Sequence, residues 1–198
     1  MKQKVLLASN NAHKIKEIRA ILGDFFDIVS LREAGVESDP EEKGKTFEEN
    51  ARIKAVAGMK ASGMPCIADD SGLEVLALDC RPGVMSARYS GSHGDDAANN
   101  EKLLAELADK PDRSARYVCV ICMAFPDGRE LEARGECYGE ILKEKRGNGG
   151  FGYDPLFYFP QFGKTFAEIS AEEKNEVSHR NAALKAFEKL WEKEINDK

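Results

Sequence analysis

Val5-Leu6-Leu7-Ala8-Ser9-Asn10-Asn11-Ala12-His13-Lys14 joins four apolar residues to a polar turn and the start of a periodic segment. A continuous apolar run of this length suits a strand buried on both faces, as parallel sheets require. Downstream, Ile15, Ile18, Ile21 and Leu22 recur at helical spacing, Asn10 or Asn11 can cap the start, and Gly23 is placed to end the helix. Strand, polar loop and helix in succession predict an α/β fold. The same geometry suits an anion, because free backbone N–H groups stand at the helix start with Lys14 one turn inside. Taken alone, the segment is explained equally well as a capped helix with an exposed lysine.

Outward from this unit, 27–31 reads as a second strand, followed by an acidic loop through Glu37, Asp39, Glu41 and Glu42. Thr46 and Glu49 have capping-box spacing at the head of a helix that should run to Gly63, with Asn50 and Lys54 together on a polar face. The segments 66–69 and 73–78 read as strands on either side of an acidic turn, Asp69-Asp70-Ser71-Gly72. A loop is expected over 81–94, then a structural helix over about 96–108 carrying Leu103, Leu104 and Leu107. The strands 115–125 and 130–138 flank Pro126-Asp127-Gly128, a hairpin signal that makes the sheet mixed. A last helix groups Ala183, Leu184, Phe187, Leu190, Trp191 and Ile195 on one side, as core or dimer contact.

The 198 residues suit one substantial domain or two intimate lobes, 42% hydrophobic and 32% charged, with a formal net charge of -6. That charge disfavours nucleic acid and anionic membrane as partners and points to a small ligand. No apolar run approaches membrane-spanning length, and Val5 to Ala8 follows the amino terminus too closely for a signal peptide, so a cytoplasmic setting is expected. Five cysteines form no paired framework. Cys119 and Cys122 make a CxxC, but on a strand residues three apart face opposite sides and cannot share one zinc ion.

Three further segments can carry chemistry. Adjacent carboxylates at a strand end, Asp69 and Asp70, point to opposite sides, so one could hold a metal ion while the other braces the loop; a solvated turn is the plainer reading. Gly147-Asn148-Gly149-Gly150-Phe151-Gly152 satisfies GxGxxG, yet a charged run precedes it and no helix follows, so a dinucleotide site is rejected. Its glycines instead let backbone approach a ligand, with Phe151 or Tyr153 offering a ring face to a base and Asp154 reading the base edge. Ser170 and Glu173 suggest a capping box, after which Lys174, Ser178, His179 and Arg180 cluster; taken alone, these read more simply as a solvated helix face with a structural histidine. Acids for Mg²⁺, cations for phosphates and a glycine-aromatic loop for a base are the three needs of a nucleoside triphosphate site. Phosphoanhydride cleavage asks for charge neutralisation and positioning more than covalent chemistry.

Six motifs in order, SNNAHK at 9–14, TFEENA at 46–51, IADDSGL at 67–73, SARYSG at 86–91, GGFGYDP at 149–155 and EEK with SHR over 172–180, make the chain resemble the inosine triphosphate pyrophosphatase family of noncanonical purine nucleotide hydrolases. The resemblance spans nearly the whole chain. It implies an elongated α/β protein, 1–198 as one domain whose mixed sheet and flanking helices form two lobes around a central cleft, usually a homodimer. It also implies Mg²⁺-dependent hydrolysis of ITP, dITP and XTP to the monophosphate and pyrophosphate. By similarity, Asp70 would be the general base and a metal ligand, Glu41 a second metal ligand and Asp69 a supporting acid. Ser9, Asn10, Asn11, Ala12, His13 and Lys14 would hold the triphosphate, Lys54 would add charge, and Ser71 would touch substrate. Phe151, Gly152, Tyr153, Asp154, Lys174, His179 and Arg180 would bind the base and the rest of the nucleotide. The alternatives are a Maf-like pyrophosphatase acting on standard or modified nucleotides, and a nucleotide sensor that does not hydrolyse.

Overall fold

The computed structural model describes residues 2–196. Strands and helices run β1 (Gln3–Leu7), α1 (Ala12–Leu22), β2 (Phe26–Ser30), α2 (Leu31–Ala34), α3 (Phe47–Ser62), β3 (Cys66–Val75) and β4 (Arg81–Pro82). They continue as α4 (Asp96–Glu106), β5 (Ser114–Ala124), β6 (Glu130–Ile141), β7 (Phe157–Phe159), β8 (Lys164–Thr165), α5 (Ala171–Val177) and α6 (His179–Asn196). The sheet order is β2-β1-β3-β5-β6-β7-β8, with β4 on β3. β1 pairs in parallel with both β2 and β3, while β3 with β4, β6 with β7 and β7 with β8 are antiparallel. The mixed α/β sheet expected from the hairpin signal is therefore present. No helix among the described residues is long and apolar enough to cross a membrane.

The chain divides into two compact units. In the first (Met1–Asp70, Cys119–Gly135, Arg180–Lys198), β1 is fully buried from Val5 to Leu7. Side chains alternate across a strand. Val5, Leu7 and Ile67 accordingly pack with Ile18 and Leu22 of α1 and Leu184 and Phe187 of α6. Leu6 and Cys66 face the other way, with Leu31 and Met59 from α2 and α3. The same parity separates the CxxC. Cys119 lies in the α1–α6 cluster, Cys122 faces Cys66, and burial raises all three thiols to about 12. In the second unit (Ser71–Val118, Glu136–His179), Leu103 and Leu107 of the α4 region pack with Tyr117, Phe157 and Phe166.

Three local expectations change. The strands expected over 66–69 and 73–78 are one strand, β3, which runs straight through Asp69-Asp70-Ser71-Gly72 and ends at Val75. Turn-favouring residues yield there to pairing partners that a local reading does not see. The second strand stops at Ser30, because Ser30 and Glu33 form a complete capping box and start α2. The 81–94 loop contains β4 and a 3-10 segment, Gly83–Arg88.

Candidate functional site

In the first unit, parity in β3 sends Asp69 and Asp70 to opposite faces. Asp69 meets α1 and α6: Lys14 Nζ lies 2.8 Å from its Oδ2, and Arg180 Nε lies 3.5 Å from the same atom. Arg180 is held from its other end by Glu17, whose Oε2 accepts from Nη1 at 2.7 Å. Asp70 meets α3: Lys54 Nζ donates to Oδ1 at 2.9 Å and stands 3.4 Å from Glu42. Asp70 Oδ2 is buried and has no hydrogen-bond partner among the described residues.

The two acids are tuned in opposite directions. Burial works to raise Asp69, but the charges of Lys14 and Arg180 outweigh it and hold the carboxyl well below the usual range. Burial also raises Asp70, Glu42 adds to the rise, and Lys54 does not fully cancel them, so this carboxyl stands above its ordinary value. Lys54 itself is held above its ordinary value despite burial, because Asp70, Asp69 and Glu42 favour its charge.

The acidic loop is anchored by a residue that the sequence placed only on a polar helix face. Asn50 is fully buried, and its Oδ1 accepts from Gly44 N–H at 2.8 Å. A Cβ on residue 44 would lie 2.5 Å from that oxygen, so the approach requires glycine. Asn50→Ala is expected to cost about 1–3 kcal/mol by stranding that N–H. Equilibrium urea unfolding checks it, and an unchanged stability would remove the anchor role.

Asn11 caps α1: its Oδ1 accepts from Lys14 N–H at 3.2 Å, and its own N–H donates to Ser9 Oγ at 3.2 Å. Asn10 and Ala12 are exposed beside it. The side chain of His13 lies outside the described residues.

In the second unit, Asp154 is 1% exposed and accepts three bonds. Lys174 Nζ reaches Oδ2 at 2.5 Å, Phe151 N–H donates to Oδ2 at 2.9 Å, and Tyr117 OH donates to Oδ1 at 3.2 Å. Burial, reinforced by Asp154, raises the Tyr117 hydroxyl far above its ordinary value, so it remains a donor. Gly150 (φ 72°) leaves the space this carboxylate fills; a Cβ there would lie 2.2 Å from Oδ2. With both oxygens engaged, Asp154 organises the loop and Lys174. Lys174 Nζ also sits 4.4 Å from the ring centroid of Phe151, a residue 56% exposed. His179 stacks on Tyr117 at 4.9 Å and 16°.

The Ham1 family model matches residues 5–190. The chain belongs to the Ham1 family. Ham1 relatives include a protein named dITP/XTP pyrophosphatase from Desulfotalea psychrophila, 57% identical over 91% of this chain and 81% of the relative. Another, of the same name, from Clostridium perfringens is 52% identical over 92% of this chain and 94% of the relative. The solved Ham1 protein of Staphylococcus aureus superposes with a TM-score of 0.91 at 45% identity, covering 97% of this chain and all of that one.

Within this Ham1 fold, the residues singled out from sequence fall into two groups. Ser9, Asn11, Lys14, Lys54, Asp69, Asp70 and Arg180 belong to the first unit, while Phe151, Gly152, Tyr153, Asp154, Lys174 and His179 belong to the second. Ser71 is half-buried on β3. Glu41 pairs with Lys43 at 2.8 Å on the surface, whereas Glu42 is the loop acid beside Lys54. Sequence reasoning missed Glu17, Asn50 and Tyr117. Glu17 was accessible, being one turn from Lys14 on the same helix face. Tyr117 was not, since nothing around it distinguishes it from other residues of β5.

Proposed function

We propose that this chain hydrolyses noncanonical purine nucleoside triphosphates, ITP, dITP and XTP, to the monophosphate and pyrophosphate. The observation that carries the reading is the gathering of Lys14, Lys54 and Arg180 about the Asp69–Asp70 pair, in a chain with relatives named dITP/XTP pyrophosphatase. Lys14 and Lys54 would bind phosphate oxygens, with the N–H groups at the start of α1 beside Lys14. Asp70, buried and more basic than an ordinary carboxylate, would take the proton of the attacking water.

The donor set fits a divalent cation. Three cations face four carboxylates, Glu17, Glu42, Asp69 and Asp70, so an anionic triphosphate needs added positive charge to enter. Asp70 offers an unpartnered oxygen, and the loop acids Glu41 and Glu42 offer hard oxygen ligands. Mg²⁺ needs only one or two carboxylates together with phosphate oxygens and waters. When bound it would neutralise charge developing on the phosphates. The homodimeric state belongs to the same reading on the strength of the family resemblance, and a cytoplasmic setting is proposed with it.

Phe151, Gly152, Tyr153, Asp154, Lys174 and His179 would bind the purine. A 6-oxo purine presents an acceptor where adenine presents a donor, so a cation or N–H aimed at that atom leaves adenine mispaired. Lys174→Met is expected to raise the KM for ITP about tenfold with kcat little changed, since it removes ground-state and transition-state binding alike. An unchanged KM would take Lys174 out of the base site. The reading as a whole is tested by pyrophosphate release from ITP, dITP, XTP, GTP and ATP, with Mg²⁺ and with a chelator. Equal rates on all five, or full activity in the chelator, would overturn the selectivity or the metal requirement respectively.

A further inference from the structure

Helix α4 contributes no residue to the site read from sequence, where it was given a structural role. Its polar face nevertheless grips one residue of the glycine loop at both ends. Asp96 Oδ2 accepts from Gly152 N–H at 2.7 Å, and Asn100 Nδ2 donates to the Gly152 carbonyl at 2.8 Å. Four residues apart on a helix, the two side chains share one face. Asn100 is 3% exposed, and its amide also reaches the Asp96 carbonyl at 2.6 Å, which fixes its orientation.

The gripped residue lies between Phe151, the exposed ring under Lys174, and Tyr153, which is buried and donates from its hydroxyl to the Ser86 carbonyl at 2.8 Å. Asn99, the neighbour of Asn100, accepts from Ser90 N–H at 2.7 Å. One helix thus fastens the glycine loop and the segment to which Tyr153 is tied. Phe151 N–H is engaged by Asp154, so two successive N–H groups, those of Phe151 and Gly152, are held by carboxylates from different parts of the unit.

We propose that Asp96 and Asn100 are positioning residues that hold the 151–153 turn in the conformation that binds the purine base, and thereby set KM. The proposal rests on the base-binding role given to this loop under Proposed function. A loop ordered in advance loses less freedom when ligand arrives, so its restraints act on binding and leave the phosphate chemistry alone.

Asp96→Ala and Asn100→Ala are each expected to raise the KM for ITP about tenfold with kcat within about twofold of wild type. Asp96→Asn retains an oxygen that can accept from Gly152 N–H and should stay within about twofold of wild type in both constants. In the absence of nucleotide, amide hydrogen exchange across 147–154 should be faster in both alanine variants and not in Asp96→Asn. Unchanged exchange in the alanine variants, a fall in kcat at unchanged KM, or Asp96→Asn matching Asp96→Ala would overturn the proposal. If wild-type protein releases no pyrophosphate from ITP, the functional reading fails, and the exchange measurement still decides whether α4 restrains the loop.

Discussion

Asp70→Asn is expected to lower kcat/KM for ITP by about 10³-fold while leaving the protein folded. The substitution is nearly isosteric, and its carboxamide oxygen can still accept from Lys54 Nζ where Asp70 Oδ1 does now, at 2.9 Å. What is lost is the second oxygen, buried and without a partner, which becomes an amide nitrogen able neither to take a proton nor to bind a cation. Those two losses fall on the chemical step. Initial-rate pyrophosphate release, alongside circular dichroism and thermal unfolding, makes the measurement. A variant within tenfold of wild type would show that another group accepts the proton.

Asp69→Asn is expected to act on stability. Asp69 is 3% exposed and is the counter-charge for Lys14 and Arg180. Removing one partner from a buried ion cluster costs about 3 kcal/mol or more, because the remaining charges stay desolvated. Arg180 retains Glu17, which argues for the lower end of that range. For a chain of this length the loss corresponds to a fall in Tm of about 6–12 °C at pH 7. The pH dependence has a definite sign. The folded carboxyl titrates below its unfolded value, so its stabilisation is complete above the unfolded pKa of about 4 and fades as pH falls toward the folded one. The gap between wild type and variant should accordingly be widest near neutrality and shrink below about pH 4. A Tm within about 2 °C of wild type at pH 7 would mean that the cluster contributes little.

The two substitutions separate roles that lie side by side in the chain. Asp69 is enclosed by Lys14, Arg180 and, more remotely, Lys54, which keep it ionised, while Asp70 retains an oxygen with no hydrogen-bond partner among the described residues. Adjacent positions on a strand belong to different faces and can therefore be served by different helices: α1 and α6 for one, α3 for the other.

Much of this was legible in the residues. The buried run of β1, the Asn11 cap and Gly23 locate β1 and α1, since apolar periodicity and capping are local properties. Thr46 and Gly63 likewise bracket α3, and Ser170 with Glu173 opens α5. The capping box at Ser30 was equally local, though it gained weight only once β2 was seen to end there. Ordered motifs along nearly the whole chain were enough to place it beside its relatives.

Only tertiary structure decided the rest. Asp69-Asp70-Ser71-Gly72 has the composition of a turn and is instead the middle of a ten-residue strand, because cations from α1, α3 and α6 compensate carboxylates that a turn would have left in water. Which loop acid stands beside Lys54, which helix grips Gly152, and which lysine reaches Asp154 all depend on contacts between residues from 12 to 56 positions apart. Local propensity records what a segment prefers in solvent. Burial of charge is settled by partners that arrive from elsewhere in the chain, and that is why the acids could be named from sequence while their division of labour could not.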